Sequence, residues 1–291
     1  MPDVSCIYDQ GELILAVVRY LVHDVDAAVD FYVTKLGFTL TQRMGPAFAI
    51  VGRDDLALWV SGPRTSAAQS MVTNSVVVFV VRDGNPKHIK SWNDLIRPGV
   101  EIVTPNPFTS GGARWNIMAA YGSWRKQGKT DKQAQANLLK LWKNVAVQDT
   151  SARASLSTFN SGKGDVLLAY ENEAYFSRMQ GLNLQWVIPK TTILIENPIA
   201  VTKDSTDKAA ANSFLRFLRT PAAQQVFADN GYRPVVKSVE NANRKKFPVR
   251  PGLFTIDQLG LGGWGKVQKR FFDPSNSIMA RFQRAVGGST G

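Results

Sequence analysis

The junction at Ser110, Gly111 and Gly112 carries the residue types in this sequence that are best suited to bind an anion. It follows a strand-like run, residues 100–103, and it precedes a helical pattern at 112–121. Glycines at a helix start leave backbone N–H groups uncrowded, and the helix dipole favours negative charge there. Ser110 adds a hydroxyl donor. The pattern therefore indicates either an oxyanion site built from neutral donors or a turn that only starts a helix.

Two similar junctions follow along the chain. Strand-like runs at 76–81, 100–103, 145–148 and 166–169 alternate with helical patterns at 91–96, 112–121, 131–144 and 152–159. This alternation predicts an α/β region with a parallel or mixed sheet, in which ligands bind at the carboxyl ends of the strands. We therefore expect the junctions at Ala152 and Tyr170 to converge with the one at Gly112.

Residues 74–272 resemble the larger, C-terminal part of the periplasmic sulfate- or thiosulfate-binding proteins of ABC importers. The resemblance lies in motifs that occur in the family's order and with its spacing over about two thirds of the chain. They are VVRDGNPK at 80–87, WNDLIRPG at 92–99, TPNPFTSGGARWN at 104–116, GDVLLAYENEA at 164–174, YRP at 232–234 and LFTID at 253–257.

The resemblance implies a periplasmic-binding-protein type II-like fold that holds sulfate, or a similar tetrahedral oxyanion, between two lobes, and a transporter permease as partner. It implies anion contacts from Ser110, from the backbone N–H groups of Gly111, Gly112 and Ala152, and from Tyr170. The family has tryptophan at the position of Tyr170, where a phenol would have to reach the anion differently. Arg114 and Arg153 are expected near the anion but not in contact with it.

The family also begins with a further third of a chain, which builds most of the first lobe and supplies anion contacts. Residues 1–71 match none of it. The second lobe (74–170) is therefore expected with only a remnant of the first (171–291), so the first lobe is incomplete. Desolvating a divalent anion against part of a site is unfavourable, so weakened binding is expected.

Residues 1–64 predict a separate unit with the element order βαβββ. The segments DVDAAVDFY at 24–32, KLGF at 35–38 and FAIV at 48–51 resemble one module of the vicinal oxygen chelate superfamily, which includes glyoxalase and bleomycin-resistance proteins. Its metal-using members need a ligand near Val17 and a carboxylate in the last strand, and both are missing here. His23 is the module's one histidine, so no metal and no cofactor are expected.

Charge is unevenly distributed. Residues 1–64 carry a net charge of −3, whereas residues 65–291 carry +15. A basic excess raises the local concentration of small anions, and it also fits nucleic acid. No zinc-finger, RNP or basic-zipper spacing accompanies it, so no nucleic-acid partner is expected.

The leading interpretation is therefore a sulfate or thiosulfate solute-binding protein, truncated and fused behind a glyoxalase-like module through a linker at 65–73, with no catalytic residues. The alternatives are a small-molecule-binding protein or enzyme that acts through the N-terminal module, and a fusion product without retained function. Met1 to Gly11 contains no Lys or Arg, and residues 13–18 are too short for a signal peptide, so cytoplasmic residence is expected although the family is periplasmic.

A homodimer through the N-terminal module is the first testable expectation, and the alternative is that the module packs on the sheet of the binding-protein-like region. One module leaves a sheet edge open, and Phe31, Leu36, Phe38, Phe48 and Trp59 are more large apolar groups than one layer hides. Light scattering should find a dimer for the full chain and a monomer for residues 72–291. A monomeric full chain refutes the expectation.

Overall fold

A computed structural model describes residues 8–9, 12–13, 16–21, 25–43, 48–53, 56–61, 71–182, 184–201, 205–288 and 290. The chain divides into two compact units. The first comprises Met1–Ser70 with Gly262–Lys266, and the second comprises Met71–Leu261 with Val267–Gly291.

The first unit has the predicted βαβββ order, preceded by a short antiparallel pair. Its elements are β1 (Tyr8–Asp9), β2 (Glu12–Leu13), β3 (Ala16–Leu21), α1 (Val25–Leu36), β4 (Thr39–Arg43), β5 (Phe48–Arg53) and β6 (Leu56–Ser61). The four longer strands form a sheet in the order β3-β6-β5-β4, in which only β3 and β6 are parallel. Its core consists of small aliphatic side chains from α1, β5 and β6, namely Val25, Val29, Ala49, Val51, Leu58 and Val60.

Some of this unit's apolar groups remain exposed. Phe31 is 51% exposed and Leu36 is 39% exposed, whereas Phe38 packs against the core. The side chains of Phe48 and Trp59, as well as His23 and residues 65–70 of the predicted linker, lie outside the described residues.

The second unit is built on a mixed seven-stranded sheet with the order β13-β12-β7-β10-β8-β9, and β11 pairs with β7 beside this path. Its strands are β7 (Met71–Val81), β8 (Ile102–Pro105), β9 (Val145–Asp149), β10 (Val166–Tyr170), β11 (Gln185–Val187), β12 (Thr191–Pro198) and β13 (Gly252–Phe254).

Helices follow most of these strands. They are α2 (Gly111–Lys126), α3 (Asp131–Lys143), α4 (Ala152–Asn160), α5 (Glu171–Met179), α6 (Lys208–Phe217), α7 (Pro221–Asp229), α8 (Lys237–Ala242), α9 (Gly263–Phe272) and α10 (Ile278–Ala285), with 3-10 turns at Asp94–Ile96 and Asp257–Leu259. The α/β architecture predicted from the alternation of patterns is therefore present.

Strand β7 is the central element of this unit. Its first half pairs with β12 and its second half pairs with β10, both in antiparallel fashion. Val76, Val78 and Val80 of this strand pack with Phe159 and Leu167 in a buried cluster. β7 thus connects the part of the sheet that carries β8, β9 and β10 with the part that carries β12 and β13.

Two predicted boundaries are wrong. The strand predicted at 76–81 begins at Met71, so residues 71–73 of the predicted linker belong to β7. The helix predicted at 91–96 is a 3-10 turn, because the Asp94 carboxylate accepts hydrogen bonds from the N–H groups of Lys90 and Ser91 and from the Ser91 hydroxyl. Such a local side-chain bond competes with a helix.

Helix α2 packs closely on β13, and this contact generates a stability prediction. A Cβ at Gly122 would overlap the Phe254 ring and lie 3.1 Å from the Leu259 Cδ1. Gly122→Ala should therefore lower the free energy of unfolding by about 1–3 kcal/mol. Gly111→Ala in the same helix is the control, because a Cβ there meets nothing within 4 Å. Urea denaturation of both variants measures the difference, and equal stabilities would show that α2 and β13 are not closely packed.

Candidate functional site

Three parallel strands of the second unit end at the same edge of the sheet. β8 lies between β10 and β9 and runs parallel to both. Each strand is followed by a helix: α2 after β8, α4 after β9 and α5 after β10. The amino ends of the three helices therefore lie at the edge where the sequence predicts a ligand site.

The geometry around Gly112 brings the predicted site residues together. A Cβ built at Gly112 lies 3.6 Å from the Ser110 Oγ, 3.8 Å from the Ala152 Cβ and 3.8 Å from the Tyr170 Cζ. One side chain from each of the three junctions thus surrounds a single point. Gly111, beside it, is exposed, and a Cβ there meets nothing within 4 Å.

Ser110 occupies the N-cap position of α2 but does not cap the helix. Its side chain makes no hydrogen bond to the first turn, and the residue is only 8% exposed. The first turn of α2 also contains no acidic residue. The unpaired N–H groups of a helix start, with their positive dipole end, therefore remain available at Gly111 and Gly112.

The other two helix starts differ in detail. Ser151 caps α4 by accepting a hydrogen bond from the Ala154 N–H at 3.2 Å, which leaves the N–H of Ala152 without that cap. Tyr170 is the N-cap residue of α5, and its side chain makes no capping bond. Burial raises the pKa of the Tyr170 hydroxyl, so this group stays protonated and able to donate at neutral pH.

Hydrogen bonds between the loops keep the three junctions together. The Asn106 N–H donates to the Asp149 carbonyl at 2.8 Å, and the Thr109 hydroxyl donates to the Thr150 carbonyl at 3.0 Å. The buried Asn116 side chain of α2 donates to the Leu168 carbonyl of β10 at 3.0 Å. The position of α2 relative to β9 and β10 is therefore fixed by specific bonds.

Both nearby arginines have partners of their own. The Arg114 Nε donates to the Pro107 carbonyl at 2.8 Å and its Nη1 donates to the Gln268 Oε1 at 3.1 Å, while burial lowers its pKa. Arg153 pairs with Glu173 at 3.4 Å and lies over the Phe176 ring. These contacts explain the positions of both guanidinium groups without a bound anion.

A buried ion pair lies directly behind the site. Glu171, the first residue of α5, is fully buried and accepts two hydrogen bonds from Arg233, at 2.6 Å from Nε and 3.1 Å from Nη2. The Arg233 backbone also exchanges two hydrogen bonds with Asn74 of β7. Burial raises the pKa of Glu171, whereas Arg233, Arg250 and Lys246 act in the opposite direction.

Two family models match the chain. The first, described as bacterial extracellular solute-binding protein, matches residues 51–233. The second, described as bleomycin resistance protein-like N-terminal, matches residues 18–52. The first match covers more than half of the chain and contains all three junctions.

The chain belongs to the bacterial extracellular solute-binding proteins.

Relatives of this chain include sulfate- and thiosulfate-binding proteins. The sulfate-binding protein of Synechococcus elongatus is 43% identical over 223 residues, which cover 75% of this chain and 63% of the relative. The thiosulfate-binding protein of Escherichia coli is 39% identical over 213 residues, which cover 70% and 62%. The solved structure of the Mycobacterium tuberculosis sulfate-binding protein SubI is 41% identical, with a TM-score of 0.67 and 72% of each chain covered.

The chain thus spans less than two thirds of the length of its curated relatives. These relatives are solute-binding proteins rather than enzymes, in agreement with the expected lack of catalysis. Among the helices of the described residues, none combines the length and apolarity needed to cross a membrane.

The ion pair between Glu171 and Arg233 is the main feature that the sequence analysis misses. Glu171 lies in the motif GDVLLAYENEA at 164–174, but neither it nor Glu173 receives a role there. The motif YRP at 232–234 is part of the resemblance but receives no role. A pairing across 62 residues leaves no local pattern, although an arginine within a mostly apolar stretch is a signal for a buried partner.

This ion pair generates a prediction on stability and its pH dependence. Arg233→Met should lower the free energy of unfolding by about 3–5 kcal/mol at pH 7, because a buried carboxylate loses its main partner. Without Arg233, burial should raise the folded-state pKa of Glu171 further above its unfolded value. The variant should then lose stability as the pH rises through the folded-state pKa and regain it in acid.

Arg153→Met is the matched control, because the Arg153 side chain is 59% exposed and its ion pair with Glu173 should contribute less than about 1 kcal/mol. Denaturation curves at several pH values measure both variants. Equal losses, or a loss at Arg233 that does not depend on pH, would contradict the assignment.

Proposed function

We propose that this chain binds a tetrahedral sulfur oxyanion, sulfate or thiosulfate, as the solute-binding component of an ABC importer. The anion contacts are the Ser110 hydroxyl, the backbone N–H groups of Gly111, Gly112 and Ala152, and the Tyr170 hydroxyl. The names of the relatives support this ligand class, since both sulfate- and thiosulfate-binding proteins match the chain.

The convergence at Gly112 is the observation that carries the proposal. Ser110, Ala152 and Tyr170 come from three different junctions, and one point lies within 3.8 Å of an atom of each. The two hydroxyls and the N–H groups are neutral donors. A sulfate oxygen accepts hydrogen bonds in several directions, so a set of converging donors suits it better than a single cation.

Neutral donors also explain how an anion is accommodated without a counter-charge in contact with it. Helix dipoles and chains of hydrogen bonds spread the charge of the anion in a region of low dielectric constant. The net charge of +15 on residues 65–291 raises the local concentration of anions before they reach the site. Long-range attraction and short-range recognition are therefore provided by different groups.

The location and the affinity of this chain stay predictions. The matching family is described as extracellular. Weakened binding, with a dissociation constant no tighter than about 10–100 micromolar, is expected from the resemblance, and a titration would test it.

Substitution of Gly111 tests the site. Gly111→Asp should abolish the heat signal of sulfate binding in isothermal titration calorimetry, because the negative charge of its carboxylate would repel the anion. The side chain fits without a clash, and a carboxylate at a helix start stabilises the helix. A loss of binding would therefore not result from unfolding.

Gly111→Asn is the matched control, since it has the same shape without the charge. We expect it to keep measurable sulfate binding, and both variants should melt at or above the temperature of the parent chain. Sulfate binding that is equal in the parent chain and in Gly111→Asp would overturn the proposed site.

A further inference from the structure

Helix α3 carries a stripe of lysines on its outer side. Lys132, Lys140 and Lys143 are all exposed. At 3.6 residues per turn, the three positions lie within about 80° of one another around the helix axis and span about 16 Å along it. The buried residues of the helix lie on the opposite side, and they are Ala134, Leu138, Leu141 and Trp142. The stripe therefore points into solvent and takes no part in the core.

Three other helices are connected to α3. The Trp142 Nε1 of α3 donates to the Gln283 Oε1 of α10 at 3.0 Å, and both side chains are buried. The Arg270 guanidinium of α9 pairs at 2.6 Å with the carboxylate of Asp131, the first residue of α3. Helix α2 ends at Lys126, four residues before α3 begins. The end of α2, α3, α9 and α10 thus form one group of neighbouring helices.

Basic residues are concentrated on this group of helices. Residues 121–144 and 267–288 contain ten basic and two acidic residues, so their net charge is +8. They are about a fifth of residues 65–291 but carry more than half of the net charge of +15. We call the ten basic residues the basic surface. All of them are exposed, and they are Arg125, Lys126, Lys129, Lys132, Lys140, Lys143, Lys269, Arg270, Arg281 and Arg284.

The basic surface has no aromatic anchors. All six aromatic side chains of the two segments are buried, and they are Tyr121, Trp124, Trp142, Phe271, Phe272 and Phe282. Protein interfaces are centred on buried aromatic anchors, and single-stranded nucleic acids stack their bases on exposed aromatic rings. A surface with charge but without such rings is suited to a partner that is held by charge alone.

We propose that the basic surface binds the anionic headgroups of a lipid bilayer. Six of its ten residues are lysines, which are point charges on flexible stems and need no fixed geometry at their partner. A bilayer with anionic lipids presents many separate negative charges in one plane, and each lysine near that plane adds to the attraction. Charges spread over several helices can therefore all be used at once.

The composition of the surface also determines how the protein would bind. Val286 is the one large apolar side chain that is exposed within these two segments. Insertion into the acyl region needs a broad apolar face, so the helices should lie on the headgroups without entering the bilayer. Binding through exposed charges is screened by salt, so it should be reversible and should weaken as the ionic strength rises.

The test measures co-sedimentation of the full chain with two kinds of vesicle in chloride buffer. One kind is pure phosphatidylcholine, and the other contains about 30% phosphatidylglycerol, which supplies the negative charge. At about 50 mM salt, the partition coefficient should be about tenfold higher for the anionic vesicles, and most of this difference should disappear at about 300 mM. The anion site is not involved, so the outcome is independent of sulfate binding.

A triple variant tests the stripe on α3. Lys132→Gln with Lys140→Gln and Lys143→Gln should lower the partition coefficient for the anionic vesicles by about tenfold. The side chains are exposed, and glutamine has nearly the helix propensity of lysine, so the melting temperature should stay unchanged.

A second triple variant is the matched control, because it removes three exposed lysines of the same unit that lie outside the basic surface. The substitutions are Lys163→Gln, Lys208→Gln and Lys245→Gln. This variant has the same net charge as the first, and it should bind the anionic vesicles like the parent chain.

Three results would overturn the proposal. The first is equal binding of the parent chain to both kinds of vesicle at low salt. The second is an equal loss of binding in the two triple variants, because net charge and not this surface would then be responsible. The third is tighter binding to duplex DNA than to anionic vesicles in the same buffer, with loss in the first variant, because the surface would then serve nucleic acid.

Discussion

The parallel pairing of β8 with β9 and with β10 is the constraint on which the rest of the second unit depends. Parallel strands end at the same edge, so their three helices begin at that edge with unpaired N–H groups and positive dipole ends. The site then needs only residues that let an anion approach. Two glycines at the start of α2 and Ala152 at the start of α4 meet this need.

The ion pair between Glu171 and Arg233 connects this edge to the other half of the sheet. Glu171 starts α5 directly after Tyr170, and Arg233 is bonded through its backbone to Asn74 in the first half of β7. Removing two charged groups from water is costly, and the pair is favourable only in its full bidentate geometry. The orientation of α5, and with it that of Tyr170, is therefore coupled to residues far from the anion donors.

Much of the second unit can be predicted from the sequence because the relevant signals are local. Apolar runs alternate with helical patterns, and the motif TSGG marks the start of α2, so the strands, the helices and the site edge follow from periodicity and turn residues. In the first unit, the βαβββ order follows in the same way.

The rest depends on contacts between distant residues. The early start of β7 at Met71 results from its pairing with β12, more than 120 residues away. The polar residues Thr73, Asn74 and Ser75 interrupt the apolar pattern, so the sequence does not predict this part of the strand. The hydrogen bond from the Asn116 side chain to the Leu168 carbonyl likewise depends on packing between elements that no short window contains. A pattern predicts which residues can form a site, whereas their tertiary contacts determine which ones meet.

The central claim is that an oxyanion binds at the three helix starts, and anomalous diffraction from crystals grown with selenate tests it most directly. Selenate has the shape and charge of sulfate, and selenium gives a strong anomalous signal. We predict one main peak with selenate oxygens about 2.7–3.2 Å from the Gly111, Gly112 and Ala152 nitrogens and from the Ser110 and Tyr170 hydroxyls. A main peak at surface lysines or arginines, with none at this edge, would contradict the account.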